Sequence, residues 1–111
     1  MTKWKVTFLN PVVRDALGKW PKKLKAKFIR IVDLIEQFGP IEVGMPHVKN
    51  LGQGLFEIRA KSEEGIGRAF FCMVVGKEVV ILHSFIKKTQ KTPAKEIHIA
   101  RKRMQEVLKD D

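Results

Sequence analysis

The sequence has no tyrosine and a single cysteine, Cys72, which lies inside an apolar run. One cysteine excludes an internal disulfide, and its setting points to a buried thiol that behaves as a small apolar side chain. Nothing in the chain therefore calls for an oxidising compartment. Long apolar runs are lacking as well. Met1 to Asn10 holds no stretch of signal-peptide length and no later run approaches a membrane span, so the cytoplasm is the expected location and no membrane partner is expected. The three histidines, His47, His83 and His98, are scattered, and with one cysteine they give no metal-ligand spacing; neither a metal nor another cofactor is expected. Gly52-Gln53-Gly54 lacks the context of a phosphate loop and reads as turn chemistry. No repeat, linker or low-complexity tract interrupts the chain.

Negative charge is also in short supply. There are 12 Asp and Glu against 22 Lys and Arg, a formal charge of +10 on 111 residues. A domain this basic draws polyanions by field strength, with nucleic acid the foremost partner class and an anionic membrane or an acidic protein behind it. The length fits one domain, residues 1–111, and 44% hydrophobic residues are enough for a core without staples.

What is present reads as an α+β domain. Trp4, Val6 and Phe8 alternate with Lys3, Lys5 and Thr7, the period of a half-buried strand over Lys3–Leu9. Asn10-Pro11 marks a helix start, Gly18 its end, and Trp20-Pro21 a second break. Leu24, Phe28, Ile31, Ile35 and Phe38 recur at three- and four-residue steps, which predicts an amphipathic helix from Lys22 closed by Gly39-Pro40. The two helices are expected to form a hairpin. Its aromatics, together with Trp4, are expected in the core. Ile41–Gly54 shows no period and reads as a loop. Three strands follow, Leu55–Lys61, Gly67–Val75 and Glu78–Lys87, separated by turn-like Ser62–Gly65 and Gly76-Lys77. The second and third are almost continuously apolar, as central strands are. Thr92-Pro93 opens a last helix on Ile97, Ala100, Met104 and Leu108. The expected fold is a small antiparallel meander packed on an N-terminal helix hairpin, with a C-terminal helix.

Cations stand out on the predicted sheet. Glu57, Arg59 and Lys61 share a face opposite Phe56, Ile58 and Ala60, and Arg68 is the one cation in an apolar strand, where it must reach solvent or a partner such as Glu57 or Glu78. His83 sits among Val80, Ile81, Leu82 and Phe85, as a core histidine or as a base, and Lys87 and Lys88 mark the strand end. His47 and His98 read as surface residues.

The runs L-G-Q-G-L-F-E-I-R, G-R-A-F-F and V-V-I-L-H-S-F-I-K-K-T-Q-K-T-P-A-K-E-I-H-I-A-R-K-R, spanning about Lys49 to Arg103, resemble the HigB-like, phage-derived branch of the RelE toxin superfamily. The resemblance implies the toxin of a type II toxin–antitoxin pair. Such a toxin is a metal-free, ribosome-dependent messenger RNA endonuclease, silenced by an antitoxin that in this branch usually carries a helix-turn-helix domain. It also implies catalytic cations at Arg59, Arg68, Lys87 and Lys88. In that set Arg68 is expected to clamp the transition state, one of the lysines to serve as acid and Arg59 to position the message backbone, with His83, read from its strand alone, a weaker candidate base. For RNA binding the candidates are Lys22, Lys23, Lys25, Lys27, Lys61, Lys91 and Lys95, whose alternative is a solvated helix face. The missing tyrosine departs from many RelE relatives and leaves the base unassigned. The alternative function is a non-catalytic basic module that holds RNA or an acidic protein on the same face.

Overall fold

Asn10 begins the first helix as its spacing suggests: the Oδ1 atom accepts from the backbone N–H of Val13 at 2.9 Å, and Pro11 occupies the first turn, where its missing donor costs nothing. The computed structural model describes residues 3–87 and 93–109, so Lys88, Lys91 and Thr92 lie outside the described residues. Its elements run β1 (Lys5–Phe8), α1 (Pro11–Gly18), α2 (Lys22–Phe38), α3 (Pro40–Val43), β2 (Val48–Gly52), β3 (Leu55–Ser62), β4 (Gly65–Val74), β5 (Glu78–Lys87) and α4 (Ala94–Lys109).

The five strands form one sheet in the order β1-β5-β4-β3-β2. The meander β3-β4-β5 is antiparallel and the two most apolar strands are central, as expected. Two features differ from the sequence reading. The stretch taken as a loop contains α3 and the edge strand β2, which pairs antiparallel with β3. The first strand joins the other edge parallel to β5, in register Lys5–Glu78 to Phe8–Ile81, so the sheet is mixed. Alternation of side chains reports which face a strand buries and is silent on its direction, which explains that miss.

Both faces of the sheet are covered. On one side α1 lies over β1 and β5, while α2 runs across the sheet from the β3–β4 turn to β1. The Lys23 amide and Nζ bind Glu64 and Glu63 at the first end of α2, and Glu36 accepts from the amides of Trp4 and Val6 at the other. Its buried stripe, Leu24, Phe28, Ile31 and Ile35, packs on Ile58, Ala60, Ala69 and Phe71. Each N-terminal helix is thus held by the sheet. Phe38 falls off that stripe and is 58% exposed, so it is not the core residue the spacing suggested. On the opposite side Ala100 and Met104 of α4 cover Leu55, Phe70, Cys72, Val80 and Leu82, while Leu108 stays exposed and Val107 packs in its place. No helix among the described residues is long and apolar enough to cross a membrane.

Gly67 is required by close approach. Trp20, edge-on to Phe28 at 5.7 Å, packs against it, and a Cβ at position 67 would run into the Trp20 ring. Overpacking of this kind costs about 1–3 kcal/mol. Gly67→Ala is expected to lower unfolding stability by that amount in urea titration. An unchanged midpoint would mean that Trp20 is not seated there.

Candidate functional site

Strand register places the cations of the meander. Across β3, β4 and β5 the paired residues form three successive rows: Lys61–Ile66–Lys87, Arg59–Arg68–Phe85 and Glu57–Phe70–His83. Paired residues project to the same side of a sheet, and so do residues two apart, so these nine side chains tile one patch. The patch is on the α4 side, because Leu55 and Cys72, which continue the same alternation on β3 and β4, lie under α4. Every catalytic candidate among the described residues, Arg59, Arg68, His83 and Lys87, falls within it.

Its centre is charged and dry. Two arginines directly opposite each other on neighbouring strands repel. Glu57, one step along the same face of β3, stands between them. Its Oε2 accepts from Arg68 Nη1 at 3.5 Å and its Oε1 lies 3.4 Å from Arg59 Nε. The side chains of Glu57 and Arg68 are 0% and 1% exposed, and that of Arg59 is 18% exposed. Burial pushes the Arg68 guanidinium below its ordinary value; Glu57 opposes that fall and the Arg59 charge adds to it. Of the two partners that the sequence allowed for Arg68, the structure selects Glu57. Glu78 bonds the Thr7 hydroxyl instead. Lys61 and Lys87 are exposed at the open end of the patch.

At the other end the patch passes under α4. His83 stacks on Phe70 and Phe85, its Nε2 lies 2.8 Å from Glu96 Oε1, and its Nδ1 lies 3.4 Å from Arg103 Nη1. Arginine has donors only, so Nδ1 accepts and the proton sits on Nε2, which donates to Glu96. That assignment follows from the hydrogen-bond network. Arg103 also donates to the Leu82 carbonyl at 2.8 Å, and Arg101 donates to the carbonyls of Leu51 and Gly52. The helix is therefore tied to β5 and to the β2–β3 turn. Glu96 and Arg103 were missed at the sequence level. Their seven-residue spacing puts them on one helical face, but nothing in the sequence says that this face meets His83.

The other candidates divide. Lys22, Lys23 and Lys27 are exposed along α2, and Lys23 is engaged by the β3–β4 turn. Lys25 is half-buried and caps the Gly18 carbonyl at 3.0 Å. Lys95 is exposed on the first turn of α4. His98 is exposed, whereas His47 is half-buried against β3. Among the described residues no three His, Cys, Asp or Glu side chains gather as metal ligands would.

A five-stranded sheet with its N-terminal helices on one face, a C-terminal helix on the other and arginines at the centre of the meander has the RelE-like fold. One chain of the crystal structure described as the archaeal RelE-RelB complex from Pyrococcus horikoshii OT3 matches it with a TM-score of 0.57 and 23% identity, covering 82% of this chain and 100% of that one. The family model for phage derived protein Gp49-like (DUF891) matches residues 15–105, and the chain belongs to that family. Both findings agree with the phage-derived, RelE-like resemblance read from Lys49–Arg103. No curated protein matches the sequence.

The buried pair makes a stability prediction. Removing one partner of a buried ion pair costs about 3–5 kcal/mol, whereas replacing both with apolar residues of similar size is often neutral. Glu57→Ala is expected to lose that much in chemical denaturation, and Glu57→Leu with Arg68→Met to recover most of it. Equal losses in both proteins would mean that the pair is not the main reason for the residues' burial.

Proposed function

We propose that this chain is the toxin of a type II toxin–antitoxin pair, an endoribonuclease that cuts messenger RNA on the ribosome by attack of the 2′-hydroxyl, without a metal. The observation that supports this most is the patch itself: Arg59, Arg68, Lys61 and Lys87 in adjacent rows on three paired strands. In the reaction the 2′-hydroxyl releases its proton to solvent, its oxygen bonds to the neighbouring phosphorus and the bond to the 5′-oxygen breaks. The products are a 2′,3′-cyclic phosphate and a 5′-hydroxyl. The step needs positive charge at the pentavalent phosphorus, and fixed cations are worth most where water is excluded. Arg59 is the proposed phosphate contact, since its planar donors match phosphate oxygens and it reaches the surface. Arg68 lies beneath it and donates to Glu57, so its proposed part is to add positive potential behind Arg59 and to fix the carboxylate that orients it. Lys87, with Lys88 beyond it, is the proposed acid that protonates the leaving 5′-oxygen.

His83 fits the part of base poorly, because Glu96 and Arg103 engage both of its nitrogens. That engagement, with the missing tyrosine, is the specific support for the second reading, a basic module that binds without cutting. The partner proposed for either reading is an antitoxin encoded beside the chain, carrying a helix-turn-helix domain. The matched archaeal chain comes from a complex of RelE with RelB, which supports a protein partner here.

Expression of the chain alone is expected to stop growth and to cut translated messages, leaving 2′,3′-cyclic phosphate ends. Arg59→Ala and Lys87→Ala are each expected to slow cleavage about 100-fold, the scale for loss of one transition-state donor, with the circular dichroism spectrum unchanged. Arg68→Ala is a poorer probe, because it strands Glu57 in the interior. Intact messages and unimpaired growth with the unmodified chain would remove the nuclease and leave the binding module.

A further inference from the structure

β2 pairs with only part of β3. The ladder runs as far as Val48–Ile58, and one further bond joins the Arg59 amide to the His47 carbonyl at 2.8 Å. Before that point the chain turns away, with the amides of His47 and Val48 bonding the Gly44 carbonyl. β3 continues from Ala60 to Ser62 with β4 on one side and, among the described residues, no strand on the other. α2 crosses above this open edge, pinned there by Lys23 on Glu63 and Glu64. The result is a hollow of about 360 Å³ at this edge of the sheet, lined by α2, the segment before β2, β3 and Ile66 of β4.

The lining is selective in chemistry. Lys27 from α2 and Arg59 and Lys61 from β3 supply three cations. Ile31, Pro46 and Ile66 supply an aliphatic surface, and His47 supplies a ring with hydrogen-bonding nitrogens. No carboxylate is among the described residues that line it. Small-molecule sites run from about 300 to 1,000 Å³, so this one suits a single nucleotide and not a folded segment of a partner. Three cations around one cavity are what a phosphate needs, and an apolar wall beside them is what a base or ribose needs. A lone phosphate would leave the aliphatic wall bare, and an apolar peptide would bury the lysines without partners.

We propose that this hollow is a nucleotide subsite, in which Lys27, Lys61 and Arg59 hold a phosphate, Ile31, Pro46 and Ile66 carry the base or ribose, and His47 bonds the base edge. The proposal rests on the RNA-cleaving reading and deepens it. Arg59 and Lys61 belong both to the hollow and to the cationic patch, so a nucleotide held here is the neighbour of the phosphate that is cut. Lys27 and His47 then act on the choice of nucleotide and on binding, and take no part in the bond-breaking step.

The test is a titration of the full, ¹⁵N-labelled chain with adenosine 3′,5′-bisphosphate and separately with inorganic phosphate, followed by amide shifts. Saturable shifts are expected at His47, Lys61 and Ile66, with the bisphosphate binding at least tenfold more tightly than phosphate. Lys27→Ala and Lys61→Ala should each weaken the bisphosphate about tenfold, the scale of one charged hydrogen bond. His47→Ala should weaken the bisphosphate and not phosphate, while Lys102→Ala, an exposed lysine on α4, should change neither. Phosphate binding as tightly as the bisphosphate, or shifts confined to other surfaces, would overturn the subsite. The two readings fail separately. A chain that binds nucleotide in the hollow and cuts no message keeps the subsite and loses the nuclease. A chain that cuts messages while Lys27→Ala and His47→Ala bind and cut as the parent does keeps the nuclease and loses the subsite.

Discussion

One carboxylate makes the cationic face possible. Arg59 and Arg68 are direct neighbours across β3 and β4, an arrangement that is unfavourable for like charges even at a surface and worse where one of them is buried. Glu57 resolves it by offering one oxygen to each. Glu57 itself sits in the interior, held chiefly by Arg68, which is buried with it, and also by Arg59 at the surface. Remove that anion and the face has two cations with no reason to stay together. With it, the cluster keeps a net positive charge in a place where water does not relax it, on strands paired directly to one another.

The same face is divided by α4. Its apolar side seals the half that contains Leu55, Phe70, Cys72, Val80 and Leu82, and its arginines tie it to the sheet on both flanks through backbone carbonyls. The charged rows lie at the open end. His83 stands at the boundary, stacked on two phenylalanines and bonded to Glu96, so it closes the dry half of the face. The last helix therefore sets which residues of the sheet stay open to solvent: Lys61 and Lys87 do, Arg59 does in part, and Arg68 does not.

How much of this was legible in the sequence varies with the range of the interaction. The stripe of α2, the Asn10 cap and the apolar central strands are local signals, and they predicted their elements correctly. Grouping Glu57, Arg59 and Lys61 on one face needed only the period of a strand. The pairing of Arg68 with Glu57 was one of two partners that charge allowed, and strand register chose between them. β2 was not visible because it is short, holds Gly52 and Asn50, and buries only Val48 among its five residues. The parallel docking of β1 on β5, the contact of Glu96 and Arg103 with His83, and the hollow beside His47 all join residues distant in sequence. No periodicity encodes them. Phe38 shows the converse error: it fits the helical spacing, yet the stripe ends one turn earlier at Ile35, where α2 runs out of sheet.

The charge of +10 and the charged patch do different work, and salt separates them. Lysines exposed along α2 and α4 act on a polyanion at a distance, and that attraction is screened beyond about 8 Å at physiological ionic strength. The Glu57–Arg68 pair is shielded from counterions by the protein around it and keeps its geometry under the same conditions. Salt therefore weakens the attraction of a polyanion well before it alters the field at the patch. A basic composition favours contact with polyanions in general and does not distinguish a binder from an enzyme. Cations held in fixed positions before a ligand arrives serve either. Here a buried carboxylate on a central strand holds two of them, and strand register puts Lys61 and Lys87 one row away.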